Sequence, residues 1–357
     1  MNSFLPRIEI SLSQIRENTQ VLSKMYMSKG ISLMGVTKAV LGEPSIAKAM
    51  IEGGAQFIAD SRIENILKMK KAGIAIPFAL LRTAFSQAES IVKNVDISLN
   101  TEMKTLRELS HHAKKQNKIH KVIIMVELGD LREGILPCDL SQFFDQALPL
   151  SNIEIVGIGC NLSCYGGIKP DDKKMQELSA LVGLLEMRFQ INLKIVSGGN
   201  SANYEWFKSS QNIGQINNLR VGESILLGCE TVGRKAIPGL HNCAFQLIAE
   251  IIESKKKPSL PFGETCQDAF GNVPSFLDGG VRQRVIIALG KQDIPFSSLK
   301  FNGNLRIIGS SSDHIILDGE NHNLEVGDEI KFSLDYSGIL AAMTSPFVAR
   351  QFTDYIQ

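Results

Sequence analysis

The chain has 357 residues, of which 44% are hydrophobic and 21% are charged, and its formal net charge is +1. This composition predicts a globular protein of about two domains, without the charge excess that would attract nucleic acid or an acidic membrane. No apolar stretch approaches the ~18 residues of a membrane-spanning helix, and the N-terminus lacks a signal pattern, so we expect a cytoplasmic protein. The six cysteines form no CxxC pair, and no metal site is expected.

Eight apolar runs of strand length alternate with helical patterns between about residues 35 and 225. Continuously apolar runs are typical of strands that are covered on both faces, as in a parallel sheet. Eight such units predict a (β/α)₈ barrel for residues 1–234, with the active site at the carboxyl ends of the strands. Each run ends in polar or charged residues, namely Lys38, Asp60 to Arg62, Arg82, Asn100, Glu127 to Arg132, Asn161, Asn200 with Ser201, and Arg220 with Glu223.

The pattern changes after about residue 235. Short apolar runs separated by turn residues predict an all-β domain over residues 235–357. The run RIEISLS near the N-terminus is also strand-like, and residues ~5–12 are expected to join that domain. The basic run Lys255–Lys257 precedes Pro258 and predicts a solvated turn.

Three features of the predicted barrel suggest chemistry. Lys38 follows the first barrel strand, where a partly desolvated amine can bond to an aldehyde, although a strand-end lysine can also be merely solvated. The stretch SGGNSAN, with Asn200 and Ser201, follows the seventh strand, where barrels often bind phosphate. Arg220 lies at the eighth strand, followed by Gly222 and Glu223. Pyridoxal phosphate requires an amine that bonds to its aldehyde, a loop that binds its phosphate and a hydrogen-bond donor to its ring nitrogen, and these three features together match that set. Each feature alone also fits an ordinary turn or ion pair.

Several longer stretches carry a family resemblance, in chain order: GVTKAVLG, VELGDLREGI, GIGCNLSC, SGGNSANYEW, NNLRVGESILLG, LGKQD and GSSSDHIILD. With these motifs the chain resembles the fold-type III pyridoxal-phosphate enzymes of the alanine racemase superfamily, and most of all the ornithine racemase-like predicted amino-acid racemases. The resemblance implies an N-terminal barrel, a C-terminal β domain and a head-to-tail homodimer with shared active sites.

The resemblance also implies roles for individual residues. Lys38 would hold the cofactor and act as one of two bases, and Arg132 would assist at the cofactor oxygen and the substrate carboxylate. Arg220 would contact the pyridine nitrogen, which then stays unprotonated and favours racemisation over decarboxylation. The remaining cofactor contacts would be Asn161, Asn200, Ser201, Gly222, Glu223 and Tyr336.

The second base is the point where this chain departs from the family pattern. Alanine racemases use a tyrosine from the partner subunit, and Lys291 occupies the resembling stretch here. His314, beside Asp313, is the candidate that we prefer because imidazole exchanges protons near neutral pH. Lys291 remains the alternative, and either side chain can equally be an ordinary surface group.

These observations predict a pyridoxal-phosphate-dependent racemase that interconverts the L- and D-forms of an amino acid by two-base transfer of the α-proton. The departures from the alanine racemase motifs favour a longer or cationic substrate such as ornithine. A non-catalytic carrier of pyridoxal phosphate and a metal-assisted D-amino-acid dehydratase or aldolase on the same fold are the alternatives. A decarboxylase is disfavoured by Arg220.

Overall fold

The computed structural model describes residues 5–301, 305–319 and 322–355. The chain divides into two compact units. One runs from Leu12 to Asn242, and the other combines the residues up to Ser11 with those from Cys243 onward. The domain boundary at 234/235 taken from the sequence pattern stays a prediction. None of the helices in the described residues is long and apolar enough to cross a membrane.

Eight parallel strands of the first unit close into a barrel, with the first strand paired to the last. In the numbering of the whole chain these are β2 (Ser32–Val36), β3 (Phe57–Asp60), β4 (Phe78–Leu80), β5 (Ile97–Asn100), β6 (His120–Val126), β7 (Ile153–Cys160), β8 (Ile195–Ser197) and β9 (Asn218–Val221). Seven strands lie within apolar runs of the sequence, and β6 begins one residue before its run, at His120. The predicted (β/α)₈ barrel is therefore confirmed.

One helix precedes the first barrel strand, and further helices follow the strands and cover them. They are α1 (Leu12–Met27), α2 (Pro44–Glu52), α3 (Ile63–Lys71), α4 (Ala88–Asn94), α5 (Met103–Lys115), α6 (Leu140–Ala147), α7 (Asp172–Phe189), α8 (Tyr204–Ser209) and α9 (Glu223–Leu227). Local signals explain their ends. Helix α2 begins at a proline, which suits a first helical position, and the Asp171 side chain caps α7 by accepting from Lys174 N.

Apolar side chains fill the barrel interior. Its central cluster is contributed by strands β2 to β7 and comprises Met34, Val36, Ala59, Ala79, Ile97, Leu99, Ile123, Met125 and Val156. Full burial of a Val, Ile, Leu or Met side chain stabilises the fold by about 1.5–3 kcal/mol. The strands are apolar throughout because their inner side chains fill the barrel and their outer side chains are covered by helices.

The second unit is built mainly of antiparallel strands. They are β1 (Arg7–Ser11), β10 (Phe245–Pro258), β11 (Val281–Ile287), β12 (Leu299–Lys300), β13 (Arg306–Ser310), β14 (Ile315–Asp318), β15 (Glu329–Leu334) and β16 (Ala349–Thr353), together with helix α10 (Tyr336–Thr344). Strand β1 pairs antiparallel with β10 and parallel with β16, so the N-terminal strand belongs to this unit. The predicted separate β domain is confirmed as a fold class, with α10 as an addition.

The basic run Lys255–Lys257 is not a turn, and that prediction is wrong. Strand β10 continues through these residues to Pro258 and pairs in register with β11. Glu253 forms ion pairs with both Lys255 and Lys257, which reduces the repulsion between the lysines. Pairing along a long hairpin thus outweighs the local preference of a charged run for a turn.

Candidate active site

Lys38 lies just beyond the carboxyl end of β2. It opens a 3-10 turn, Lys38–Val40, which begins where the Thr37 carbonyl accepts the backbone N–H of Val40 at 3.0 Å, while Thr37 N donates to Ala59 O of β3 at 3.0 Å. The turn ends in two left-handed residues, Leu41 and Gly42. A Cβ at Gly42 would lie 2.7 Å from Asn65 Cβ, so glycine is needed there both for conformation and for space. The motif TKAVLG is therefore a tight turn that places one lysine at the barrel mouth.

A completely buried carboxylate supports this turn. Asp60, at the end of β3, accepts from Thr37 Oγ1 at 2.7 Å and from Asn65 Nδ2 and Arg62 N at 2.9 Å. Burial raises the pKa of Asp60, although these hydrogen bonds act against the rise. The sequence showed Asp60 only as a polar strand end and assigned it no role.

The amine of Lys38 is half-buried and surrounded by charged and polarisable groups. Burial lowers its pKa from 10.5, and the charges of Arg132 and Arg220 lower it further, whereas Cys164 and Glu133 act in the opposite direction. Within residues 5–301, 305–319 and 322–355, Lys38 Nζ has no hydrogen-bond or ion-pair partner. Such an amine is unprotonated at a lower pH than an exposed lysine, so it can act as a nucleophile or as a base.

Arg220 is buried in the barrel, with 5% of its surface exposed. It donates to Ser197 Oγ at 2.5 Å, to Cys160 O at 2.8 Å and to Asn161 Oδ1 at 3.3 Å. Burial lowers its pKa, but an arginine in a protein keeps its proton. These acceptors are neutral oxygens, so they orient the guanidinium and leave its positive charge uncompensated at close range.

Two helix starts meet beside Ser201. Ser201 opens a 3-10 turn, Ser201–Asn203, and its Oγ accepts the backbone N–H of Ser224 in α9 at 3.1 Å. The first N–H groups of both elements, at Ser201 and Glu223, have no acceptor inside their own helices. Clustered N–H donors of this kind suit an anion such as phosphate. The Glu223 carboxylate is paired with Arg234.

Asn200 connects this anion site to the loop after β7. Its Oδ1 caps the turn by accepting from Ala202 N, while its Nδ2 donates to Asn161 Oδ1 at 3.0 Å and to Leu162 O at 2.8 Å. Asn161 thus accepts from both Asn200 and Arg220. Its own Nδ2 is buried and has no partner among the residues that the structure describes. A buried donor without an acceptor is costly unless a bound molecule supplies one.

Arg132 lies on the loop after β6, with 40% of its side chain exposed, and donates to Glu133 Oε1 at 2.7 Å. Its charge acts on both Lys38 and Arg220. The same loop carries Asp130, a buried carboxylate that the sequence analysis did not select. An acidic residue in a loop directly after a barrel strand was the available signal, but solvated carboxylates occupy the same positions.

The structure brings one group of predicted residues together at the carboxyl ends of the barrel strands, namely Lys38, Arg132, Asn161, Asn200, Ser201, Arg220, Gly222 and Glu223. Three others belong to the second unit, and they are Lys291, His314 and Tyr336. Their roles at the site stay predictions.

Two of these residues have described contacts inside the second unit. Lys291 Nζ lies 3.3 Å from the centre of the Phe270 ring, and His314 Nδ1 lies 2.7 Å from Asp313 Oδ1. Tyr336 is the first residue of α10. Among the described parts of the chain, no group of three or more His, Cys, Asp or Glu side chains could hold a metal ion.

Comparison with known proteins gives consistent matches. The family model of the alanine racemase N-terminal domain matches residues 10–229. Ornithine racemase of Acetoanaerobium sticklandii is 40% identical over 355 residues, which is 97% of this chain and 99% of that protein. Lysine racemase of Thermotoga maritima is 37% identical over 97% of this chain and 98% of its own length.

A solved structure agrees with the fold. The crystal structure of alanine racemase from Bartonella henselae with covalently bound pyridoxal phosphate has a TM-score of 0.74 to this chain at 20% sequence identity. The similarity covers 97% of this chain and 99% of that one. Both units of the chain therefore have counterparts in one known architecture.

Proposed function

The chain belongs to the alanine racemase family, as its motifs predicted, and on that premise we propose that it is a pyridoxal-phosphate-dependent racemase of a cationic amino acid. Ornithine and lysine are the substrates to test first, because relatives that match nearly the whole chain are named as racemases of these two. The observation that carries the proposal is the Lys38 amine, half-buried at the mouth of a closed barrel and without a partner among the residues that the structure describes.

The residues present fit pyridoxal phosphate. Lys38 offers an amine for the aldehyde, and the N–H groups beside Ser201 and Glu223 suit the phosphate. A Cβ at Gly222 would lie 3.1 Å from Val36 O, so a glycine allows the start of α9 to pack closely against the end of β2. The Nδ2 of Asn161, which has no partner in the described part of the chain, is a buried donor that a polar atom of the cofactor can satisfy. Tyr336 and Asn200 complete the proposed set of contacts.

When bound, the cofactor withdraws electrons from the α-carbon of an amino acid and so acidifies the α-proton. The chain's own residues supply the rest. Lys38, with its lowered pKa, accepts the proton on one face and returns it. Arg132 binds the substrate carboxylate and fixes which face of the α-carbon meets Lys38.

Arg220 would limit how strongly the bound cofactor withdraws electrons from the α-carbon. A guanidinium donates hydrogen bonds without giving up its proton, so the ring nitrogen that it faces is not protonated. The weaker electron withdrawal suits a reaction that needs only brief loss of the α-proton. This residue therefore favours racemisation over decarboxylation.

Racemisation needs a second proton donor on the opposite face. We propose His314 for this role, with Lys291 as the alternative, contributed by the partner in a head-to-tail homodimer. Asp313 orients the imidazole of His314 through the hydrogen bond at 2.7 Å. The cytoplasmic location stays a prediction from the sequence.

The test is NMR of α-proton exchange in D₂O, with purified protein, pyridoxal phosphate and a panel of L- and D-amino acids. Exchange from both enantiomers of ornithine or lysine, lost in Lys38→Ala, is expected. Bound cofactor without exchange from any amino acid would refute the racemase and favour a non-catalytic carrier. The same experiment on His314→Gln and Lys291→Gln distinguishes the two candidates. A variant that lacks only one of the two bases still exchanges the α-proton of one enantiomer, because the other base remains.

A further inference from the structure

Asp130 supports the loop after β7 through several hydrogen bonds. It is 1% exposed, and its carboxylate accepts the backbone N–H groups of Cys164 at 3.2 Å, Tyr165 at 2.9 Å and Ile168 at 3.4 Å. Its backbone carbonyl also accepts from Gly166 N at 3.0 Å. Bonds from N–H groups to a carboxylate are charge-assisted and stronger than neutral ones. One residue thus supports a loop that lies 34 to 38 residues further along the chain.

The loop that carries Asp130 is closed at its base. Glu127 N donates to Ile135 O and Ile135 N donates to Met125 O, both at 2.9 Å, so the residues between them form a short excursion from the end of β6. Gly134 has a φ of 151°, and a Cβ there would overlap the backbone at Glu127. Arg132 lies at the exposed part of this excursion, two residues after Asp130.

Asp130 provides the link between the loops after β6 and β7. In the described part of the chain, every side-chain hydrogen bond between residues 127–135 and 161–168 involves its carboxylate. The loop after β7 is bonded in turn to Asn200, and Ser201 to Ser224. A continuous chain of hydrogen bonds therefore runs over the loops after β6, β7, β8 and β9.

We propose that Asp130 is a positioning residue that holds Arg132 where it receives the carboxylate of the amino-acid substrate. The inference rests on the proposed function. The Arg132 side chain is 40% exposed and its ion pair is with its own neighbour Glu133, so this pair does not fix it to the barrel. The base of the loop and Asp130 are the attachments that do.

The test compares Asp130→Asn with Asp139→Asn in the full-length protein loaded with pyridoxal phosphate. Asp139 starts α6 from an exposed position and its side chain makes no capping hydrogen bond, so it is a matched control. Calorimetry measures binding of ornithine and of 1,4-diaminobutane, which is the same cation without the carboxylate. Amide hydrogen exchange is followed over residues 131–133 and 164–168.

In Asp130→Asn we expect faster exchange in both segments and about tenfold weaker ornithine binding, with 1,4-diaminobutane unaffected. In an Arg132→Ala background, the Asp130 substitution should weaken ornithine binding no further, because a residue that acts through Arg132 has nothing left to position. The Asp139→Asn protein should match the wild type. Equal loss of both ligands, or unchanged ornithine affinity despite faster exchange, overturns the proposal.

If Asp130→Asn does not yield folded protein, Asp130→Glu is tested in the same way. Its ornithine affinity is expected to lie between that of the wild type and the tenfold weaker value expected for Asp130→Asn. An affinity equal to that of the wild type would contradict the proposal. Failure of the proposed function gives a different result. A wild-type protein that prefers ornithine over 1,4-diaminobutane but exchanges no α-proton is not a racemase, and the role of Asp130 can still be measured by binding. A wild type without that preference overturns both.

Discussion

Thr37 Oγ1 donates a hydrogen bond of 2.7 Å to Asp60 Oδ2, and this bond joins the ends of β2 and β3 directly before Lys38. Both residues are completely buried. Lys38 therefore follows a residue that is held by a desolvated carboxylate, while the Lys38 amine makes no such bond in the described part of the chain.

Removing the Thr37 hydroxyl should weaken this support. Thr37→Val leaves Asp60 with one hydrogen bond fewer in a buried place, which we expect to cost about 1–3 kcal/mol of unfolding free energy. The racemisation rate should fall as well, because the turn that presents Lys38 loosens. Denaturant unfolding and α-proton exchange measure the two effects. Thr105→Val, on α5, is the control, and an equal loss in that variant would contradict the role of Thr37.

The lowered pKa of Lys38 should be visible as pH-dependent reactivity. In the cofactor-free protein, burial disfavours the charged ammonium, so the amine becomes unprotonated below pH 10.5. Labelling by acetic anhydride, followed by mass spectrometry, should rise with pH to half its maximum below that value. Lys48, exposed on α2, serves as the internal comparison. A midpoint for Lys38 at or above 10.5 would show that burial does not govern it.

Gly42 and Gly30 allow conformation and space to be separated. Both have positive φ, at 56° and 76°, but a Cβ at Gly42 would meet Asn65 whereas a Cβ at Gly30 would have nothing within 4 Å. Gly30→Ala should cost about 1–2 kcal/mol from backbone strain alone. Gly42→Ala adds a steric clash of about 1–3 kcal/mol. Denaturant unfolding tests this order, and equal costs would mean that Asn65 moves aside freely.

The Arg7–Glu329 ion pair should make stability depend on acid pH. Arg7 donates to both carboxylate oxygens of Glu329 at 2.8 Å, and this hydrogen bonding lowers the pKa of Glu329 below 4.5. A carboxyl with a lowered folded-state pKa stabilises the fold above 4.5, and the contribution is lost as the pH falls through the folded value. Glu329→Gln should therefore cost about 1 kcal/mol at pH 7 and progressively less as the pH falls below 4.5.

The comparison for this pair is Glu325→Gln, an exposed residue on the neighbouring turn. Its unfolding free energy should stay close to that of the wild type at both pH values. A loss in Glu329→Gln that is as large at pH 3 as at pH 7 would show that packing, rather than charge, is responsible.

The barrel could be predicted because its strands are short, apolar throughout and followed by polar residues, a pattern that local sequence fully contains. The site residues at strand ends, such as Lys38, Ser201 and Arg220, followed from the same rule together with the family motifs. Asp60 and Asp130 were not singled out. In the sequence, an aspartate after a strand looks the same whether its carboxylate is solvated or buried beneath backbone N–H groups. Only the packing of distant loops decides between these two states.

The chain of hydrogen bonds over the four barrel loops has a consequence for engineering. Substrate preference in barrels is often altered by exchanging a single loop, on the view that each is an independent module. Here a transplanted segment 161–168 would have to offer its N–H groups to Asp130 on one side and its carbonyl at position 162 to Asn200 on the other. The loops at this barrel mouth depend on one another, so an exchange meant to alter substrate preference should replace the whole stretch from β6 to β9.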